Sequence, residues 1–146
     1  FLAAGYGHYR GRRRKLAELP ETPQIKCSKD VADIFHPILS DLIHEEFWIL
    51  FLNRSNRVIN RMRLSQGGIS GTVTDVRIVM KKAVENLASA IIVCHNHPSG
   101  NLNPSESDSK ITTKIREAGS LMDIQLLDHI IISGKDYYSF ADNGLI

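Results

Sequence analysis

A single α/β domain, with a mixed central β-sheet flanked by helices, is the fold class that this sequence predicts. Three observations carry it. The chain has 146 residues, 42% of them hydrophobic, which is enough for one core and too few for two. Short apolar runs rich in β-branched residues, at 46–52, 90–94 and 124–132, read as buried strands. Longer segments with apolar residues three and four apart lie between them and read as helices covering the sheet.

The elements follow in chain order. Residues 1–26 read as a basic tail outside the folded unit, which occupies 27–146. Arg10-Gly11-Arg12-Arg13-Arg14-Lys15 is a basic run flanked by Tyr6, His8 and Tyr9. Glu18-Leu19-Pro20-Glu21-Thr22-Pro23 then reads as an extended linker, because its two prolines resist regular structure. The preferred reading of the basic run is a solvated interdomain tail. The alternative is DNA contact, with arginines on phosphates and tyrosines stacked on bases. The chain begins on Phe1 rather than methionine, so it is expected to be a piece of a longer protein with a further domain upstream.

Ser28 is expected to cap a helix over 29–43, with Val31, Ile34, Phe35, Ile38 and Leu42 as its apolar stripe and Pro37 as the source of a kink. Strand 46–52 is followed by Asn53-Arg54-Ser55-Asn56 as a hairpin turn and by a returning strand over 57–64. Gly67, Gly68 and Gly71 mark a loop. Asp75 is expected to cap a helix over 76–88. That helix should turn Val76, Val79, Met80, Ala83, Val84 and Leu87 inward and keep Arg77, Lys81, Lys82 and Glu85 in water. Residues 90–94 lead as a buried strand into His95. Asn103 as N-cap and Pro104 at the first helical position are expected to open a helix running to Ala118, with Ile111 and Ile115 inward. A strand over 124–132, a turn at Ser133-Gly134-Lys135-Asp136 and a short strand over 137–140 close the domain. That last strand is a candidate edge for pairing with a second copy of the chain. No run is long enough to span a membrane, and no N-terminal signal pattern is present. Cys27 and Cys94 lie too far apart for a C-x-x-C pair, so a reduced, cytoplasmic protein is the expectation.

The chemistry is concentrated in His95-Asn96-His97-Pro98-Ser99-Gly100-Asn101-Leu102-Asn103-Pro104-Ser105-Glu106-Ser107-Asp108. His95 and His97 stand two apart at a strand end and so share a face. Ser105 and Asp108 stand three apart in the first turn of the next helix. Two imidazoles and one carboxylate, with a fourth position open to water, is the layout of a catalytic zinc site, with ligand distances of about 2.0–2.2 Å. Hydrolysis there needs a general base. Glu45 and Glu46 are the candidates. Neighbours in a strand face opposite ways, so only one of them can reach the site, and spacing does not choose between them. Cys94 should face the other way and read as a buried small hydrophobe. His129, beside Asp128, reads as a hydrogen-bonded strand histidine, the alternative being support of a metal ligand. The chain has no H-E-x-x-H, P-loop or G-x-S-x-G motif.

At these residues the chain resembles the JAMM (MPN-positive) zinc peptidases, whose signature H-x-H-x7-S-x-x-D is matched at His95, His97, Ser105 and Asp108. The fuller string from His95 to Gly100, with Pro104-Ser105 and Asp108 after it, is similar to the bacterial RadC branch. So are Glu45-Glu46-Phe47-Trp48-Ile49-Leu50-Phe51-Leu52-Asn53, Asp128-His129-Ile130-Ile131-Ile132 and Tyr138-Ser139-Phe140, taking 27–146 as the span of the likeness. The resemblance implies a JAB/MPN fold of the three-layer, cytidine-deaminase-like type. It implies Zn²⁺ bound by His95, His97 and Asp108. It implies Glu45 as the base, since that branch tends to read E-x-F at the start of this strand. Ser105 would donate to the developing oxyanion or orient the water. The implied activity is hydrolysis of a peptide or isopeptide bond in a peptide or protein substrate that the sequence does not name. Asn96 stands where eukaryotic members tend to have Ser or Thr; it should face away from the metal, and ubiquitin-specific activity is not carried over. RadC proteins often have a helix-hairpin-helix module upstream, which would make residues 1–26 its remnant and connector. They are traditionally labelled DNA repair proteins, so the competing expectation is a DNA-associated factor whose metal domain binds rather than catalyses.

Overall fold

The structure, a computed structural model, describes residues 22–66 and 74–146. The basic run at 10–15 and the Gly67, Gly68 and Gly71 loop lie outside the described residues. Those residues form α1 (Ser28–Leu39), β1 (Glu46–Leu52), β2 (Val58–Gln66), α2 (Val76–Glu85), β3 (Ala90–Asn96), α3 (Glu106–Leu121), β4 (Gln125–Ser133) and β5 (Asp136–Ser139). The strands make one five-stranded sheet in the order β2-β1-β3-β4-β5. Only the β3–β4 pair is parallel, joined by the α3 crossover; the other three pairings are antiparallel. This is a single α/β domain with a mixed sheet, consistent with a JAB/MPN fold.

The period-2 alternation of the strands sorts the core into two layers. On one face Leu50, Leu52, Ala90, Ile92, Cys94, Ile130 and Ile132 pack under α1 through Val31, Ala32, Phe35 and Leu39. On the other, Phe47, Ile49, Phe51, Ile91, Val93 and Leu126 pack against Val79, Met80 and Ala83 of α2 and Ile115 of α3. β3 is buried along its whole length, which is why it reads as one continuous apolar run. Each fully buried Ile or Leu in these layers contributes roughly 1.5–3 kcal/mol relative to exposure. Cys94, fully buried on the α1 face, has its thiol pushed well up by that burial, as a small core hydrophobe should.

Several element ends differ from expectation. α1 starts at Ser28, with Cys27 as N-cap; the Asp30 carboxylate accepts from the N–H groups of Lys26 and Cys27. It ends at Leu39, soon after the Pro37 inside it. Residues 23–25 run beside the start of β2: Val58 N–H donates to Pro23 O at 2.9 Å, and Ile25 is buried. In the hairpin, Asn53 Oδ1 accepts from Ser55 and Arg57 N–H, and Asn56 takes a positive φ of 58°. Asp75 caps α2 by accepting from Arg77 N–H. Val84 is exposed rather than inward within that helix, which stops at Glu85; beyond the end Leu87 adopts φ 51° and is exposed as well. α3 starts two residues later than Asn103-Pro104 would have it, with Ser105 as its N-cap.

Candidate metal centre

The site is assembled from the end of β3, the loop after it, the first turn of α3 and the residue before β1. β1 pairs antiparallel with β3 as far as Phe47↔His95. Directly opposed residues share a face, so Phe47 and His95 both lie on the α2/α3 side, with the Phe47 ring stacked on His95 at 6.0 Å. Two further steps along the same register put Glu45 opposite His97. Glu45, Phe47, His95, His97, Ser105 and Asp108 accordingly line one cleft of about 870 Å³, whose outer wall includes Ile111, Thr113 and Lys114 of α3. Glu46 falls on the opposite face. It is buried there, and its carboxylate meets His44 Nε2 and Trp48 Nε1, each at 2.9 Å, and Arg63 at 3.5 Å. Burial alone would raise its carboxyl, but those partners outweigh burial and lower it.

His97 lies one residue past β3 and is fixed through its backbone. Its N–H donates to Ile132 O at 2.9 Å, and its carbonyl accepts from Ser133 Oγ at 3.0 Å. Gly100, at φ +91°, turns the loop back so that its own N–H reaches His97 O. Ser105 and Asp108 form a reciprocal capping box: Asp108 N–H donates to Ser105 Oγ at 3.0 Å, and Ser105 N–H donates to Asp108 Oδ2 at 2.8 Å. The same carboxylate then meets His95 Nε2 at 3.2 Å through Oδ1 and His97 Nε2 at 3.1 Å through Oδ2. His95 Nε2 and His97 Nε2 are 3.0 Å apart. One ligand atom from each of His95, His97 and Asp108 lies within 4.8 Å of the others.

The hydrogen-bond partners assign the imidazole tautomers. His97 Nδ1 is 2.6 Å from Asn101 O, which can only accept, so Nδ1 carries the hydrogen. Thr112 Oγ1 has one hydrogen and donates it to Asp108 O at 2.6 Å, so it accepts from His129 Nδ1 at 2.6 Å. His129 is fully buried, and burial holds its pKa well below the usual histidine value, so the ring is neutral and its Nε2 accepts. The donor to it, at 2.8 Å, is His95 Nδ1. Both site histidines therefore direct Nε2 at the Asp108 carboxylate with Nδ1–H already engaged, the arrangement in which imidazoles bind a metal.

Each imidazole Nε2 lies about 3 Å from the other and from one of the two Asp108 oxygens, and electron-pair donors so placed repel one another unless positive charge sits among them. A tetrahedral ion with bonds of about 2.05 Å would hold its ligands about 3.3 Å apart, close to the spacings found here. The donor set therefore fits zinc. Without a metal, protons take that place. The Asp108 hydrogen bond pushes the His97 pKa above its ordinary value. Burial would raise the Asp108 carboxyl, but His95, His97 and the Ser105 N–H outweigh burial and hold it well below the usual carboxylate range.

The structure thus brings together Glu45, His95, His97, Ser105 and Asp108 and leaves Glu46 on the far side of the sheet. It adds Thr112, which sequence reasoning missed. Its spacing of four from Asp108 was the available signal, since a helical threonine at that distance reaches back to the carbonyl.

Comparison with known proteins gives concordant findings. A family model described as "RadC-like JAB domain" matches residues 25–145. A "UPF0758 protein" of Flavobacterium johnsoniae is 52% identical over 135 residues, covering 92% of this chain and 59% of the relative. One from Porphyromonas gingivalis is 47% identical over 137 residues, covering 92% of this chain and 60% of the relative. One from Salinibacter ruber is 43% identical over 126 residues, covering 86% of this chain and 54% of the relative. The chain thus spans less than two thirds of the length of these relatives.

Proposed function

The chain belongs to the RadC family, and from that premise we propose that it is a zinc-dependent hydrolase of the JAMM type, cleaving a peptide or isopeptide bond. The observation that carries the reading is the convergence of His95 Nε2, His97 Nε2 and the Asp108 carboxylate in the cleft that Glu45 also lines. Zn²⁺ held by these three residues supplies a Lewis acid for the scissile carbonyl and lowers the pKa of water to about 7.

The chain's own residues supply the rest. Glu45, half-buried beside His97, takes a proton from the attacking water and returns one to the leaving amine. Ser105 Oγ already accepts from Asp108 N–H, and among the described residues its own hydrogen has no acceptor. That hydrogen is free to donate to the oxyanion that develops on the carbonyl oxygen. Phe47 forms an apolar floor beside His95 and keeps bulk water from the ring. His129 and Thr112 keep His95 in the tautomer that presents Nε2.

The test is turnover of a mixed pool of peptides and lysine-linked isopeptides by zinc-loaded protein and by Glu45→Gln. The parent should cleave at least one class. The variant should keep its zinc and lose at least ~100-fold in rate, the usual contribution of general acid–base catalysis. Full activity in Glu45→Gln would remove Glu45 as the base, and a zinc-loaded parent that cleaves neither class would remove the hydrolase reading.

A further inference from the structure

We propose that Asn96, the residue between the two histidines, is a positioning residue for Glu45. The inference rests on the reading of Glu45 as the general base. Asn96 is 2% exposed and points away from the metal cluster, onto the α1 face of the sheet. Its side-chain amide reaches across to the entry of β1. Oδ1 accepts from Glu46 N–H at 2.8 Å, and Nδ2 donates to His44 O at 2.9 Å. These two backbone groups flank Glu45.

That grip is needed because the pairing of β1 with β3 runs out at this point, leaving the start of β1 paired only with β2, through Glu46↔Gln66. The β1–β3 ladder ends at Phe47↔His95, and the β1–β2 pairing is irregular between Phe47 and Trp48. The backbone of residues 44–46 thus lacks the ladder that holds the rest of β1 to β3. The Asn96 amide stands in for two ladder bonds, one given and one received. Both requirements select the residue type. A carboxylate in the same shape accepts but cannot donate, a hydroxyl would have to give and receive through one oxygen on a shorter arm, and a glutamine is one methylene longer. The Glu46 carboxylate completes the arrangement. His44 Nε2 and Trp48 Nε1 fix it on the reverse face, and strand alternation then turns Glu45 toward the cleft. One three-residue segment, His95-Asn96-His97, therefore supplies two ligands on one face and the anchor of the base on the other.

The test uses the full chain loaded with Co²⁺, whose visible spectrum reports on the ligand field. The pH midpoint of that spectrum is compared in the parent, Asn96→Ala, Glu45→Gln and the double variant. All four should bind near-stoichiometric Co²⁺. Asn96→Ala should shift the midpoint in the same direction as Glu45→Gln, by about half a pH unit or more, and the double variant should move no further than Glu45→Gln alone. A midpoint in Asn96→Ala equal to the parent's would overturn the proposal, as would shifts that add in the double variant. Should Asn96→Ala lose its Co²⁺, Asn96→Ser, which fills part of the same space, takes its place. Loss of Co²⁺ from both would assign Asn96 to the fold rather than to Glu45 and so overturn the proposal. A parent that binds no Co²⁺ would instead remove the metal reading itself, and this inference with it.

Discussion

Thr112 and His129 decide what His95 can do, although neither faces the cleft. The single hydroxyl hydrogen of Thr112 goes to a carbonyl, and from that bond the tautomers of His129 and His95 follow. Removing the hydroxyl by Thr112→Val keeps the volume and frees His129 to flip its hydrogen to the other nitrogen. Such outer partners typically carry 10–100-fold in metal affinity. Chelator competition with Zn²⁺ should therefore show Thr112→Val weaker by about that factor, with the fold retained. The same titration carried across pH tests His97. Its metal-free pKa is raised above 6.5, so below that raised value a proton occupies Nε2 and the metal must displace it. Affinity should fall as the pH drops through this region and level off above it. A flat profile between about pH 5 and 8, where histidines titrate, would contradict the assignment of His97 as a ligand.

At the scale of the element, the first turn of α3 holds both the cap and the ligand. Ser105→Ala removes the bond to Asp108 N–H and should cost about 0.5–2 kcal/mol, read in metal-free protein as a lower urea midpoint. It should also weaken metal binding, because losing that bond loosens the turn in which Ser105 N–H holds the carboxylate that binds. An unchanged midpoint would show that the cap is not what orders this turn. The S-x-x-D spacing was legible as a ligand motif. Its second role as a helix start was legible only as an alternative, because Asn103-Pro104 offered a competing start two residues earlier. The end of α2 was hidden for a similar reason. Leu87 keeps the apolar spacing, but the chain leaves the helix at Asn86 and Leu87 adopts a left-handed backbone that no periodicity encodes. The buried strands were readable because continuous apolar runs have few other uses in a sheet covered on both faces. The His95–His129 contact was not, because it depends on the parallel register Val93↔His129 across a crossover.

For the whole molecule, a sheet covered on both faces leaves the ends of β1 and β3 as the place where polar groups can meet outside the core. Two ligands come from the end of β3 and the residue after it, and one from the first turn of α3, so a bound metal ties the sheet to the helix that covers it. At 100-fold over its Kd, a ligand bound only to the folded chain adds about 2.7 kcal/mol of stability. No helix among the described residues is long and apolar enough to cross a membrane. The relatives extend well beyond this chain, and the metal site can be tested on this chain by itself. The decisive measurement is elemental metal content of the purified, untagged protein, beside His97→Ala and Asp108→Ala. Near-stoichiometric zinc is expected in the parent, and its loss from both variants. A parent that takes up no zinc even when it is supplied, or variants that keep it, would rule out His95, His97 and Asp108 as a zinc site.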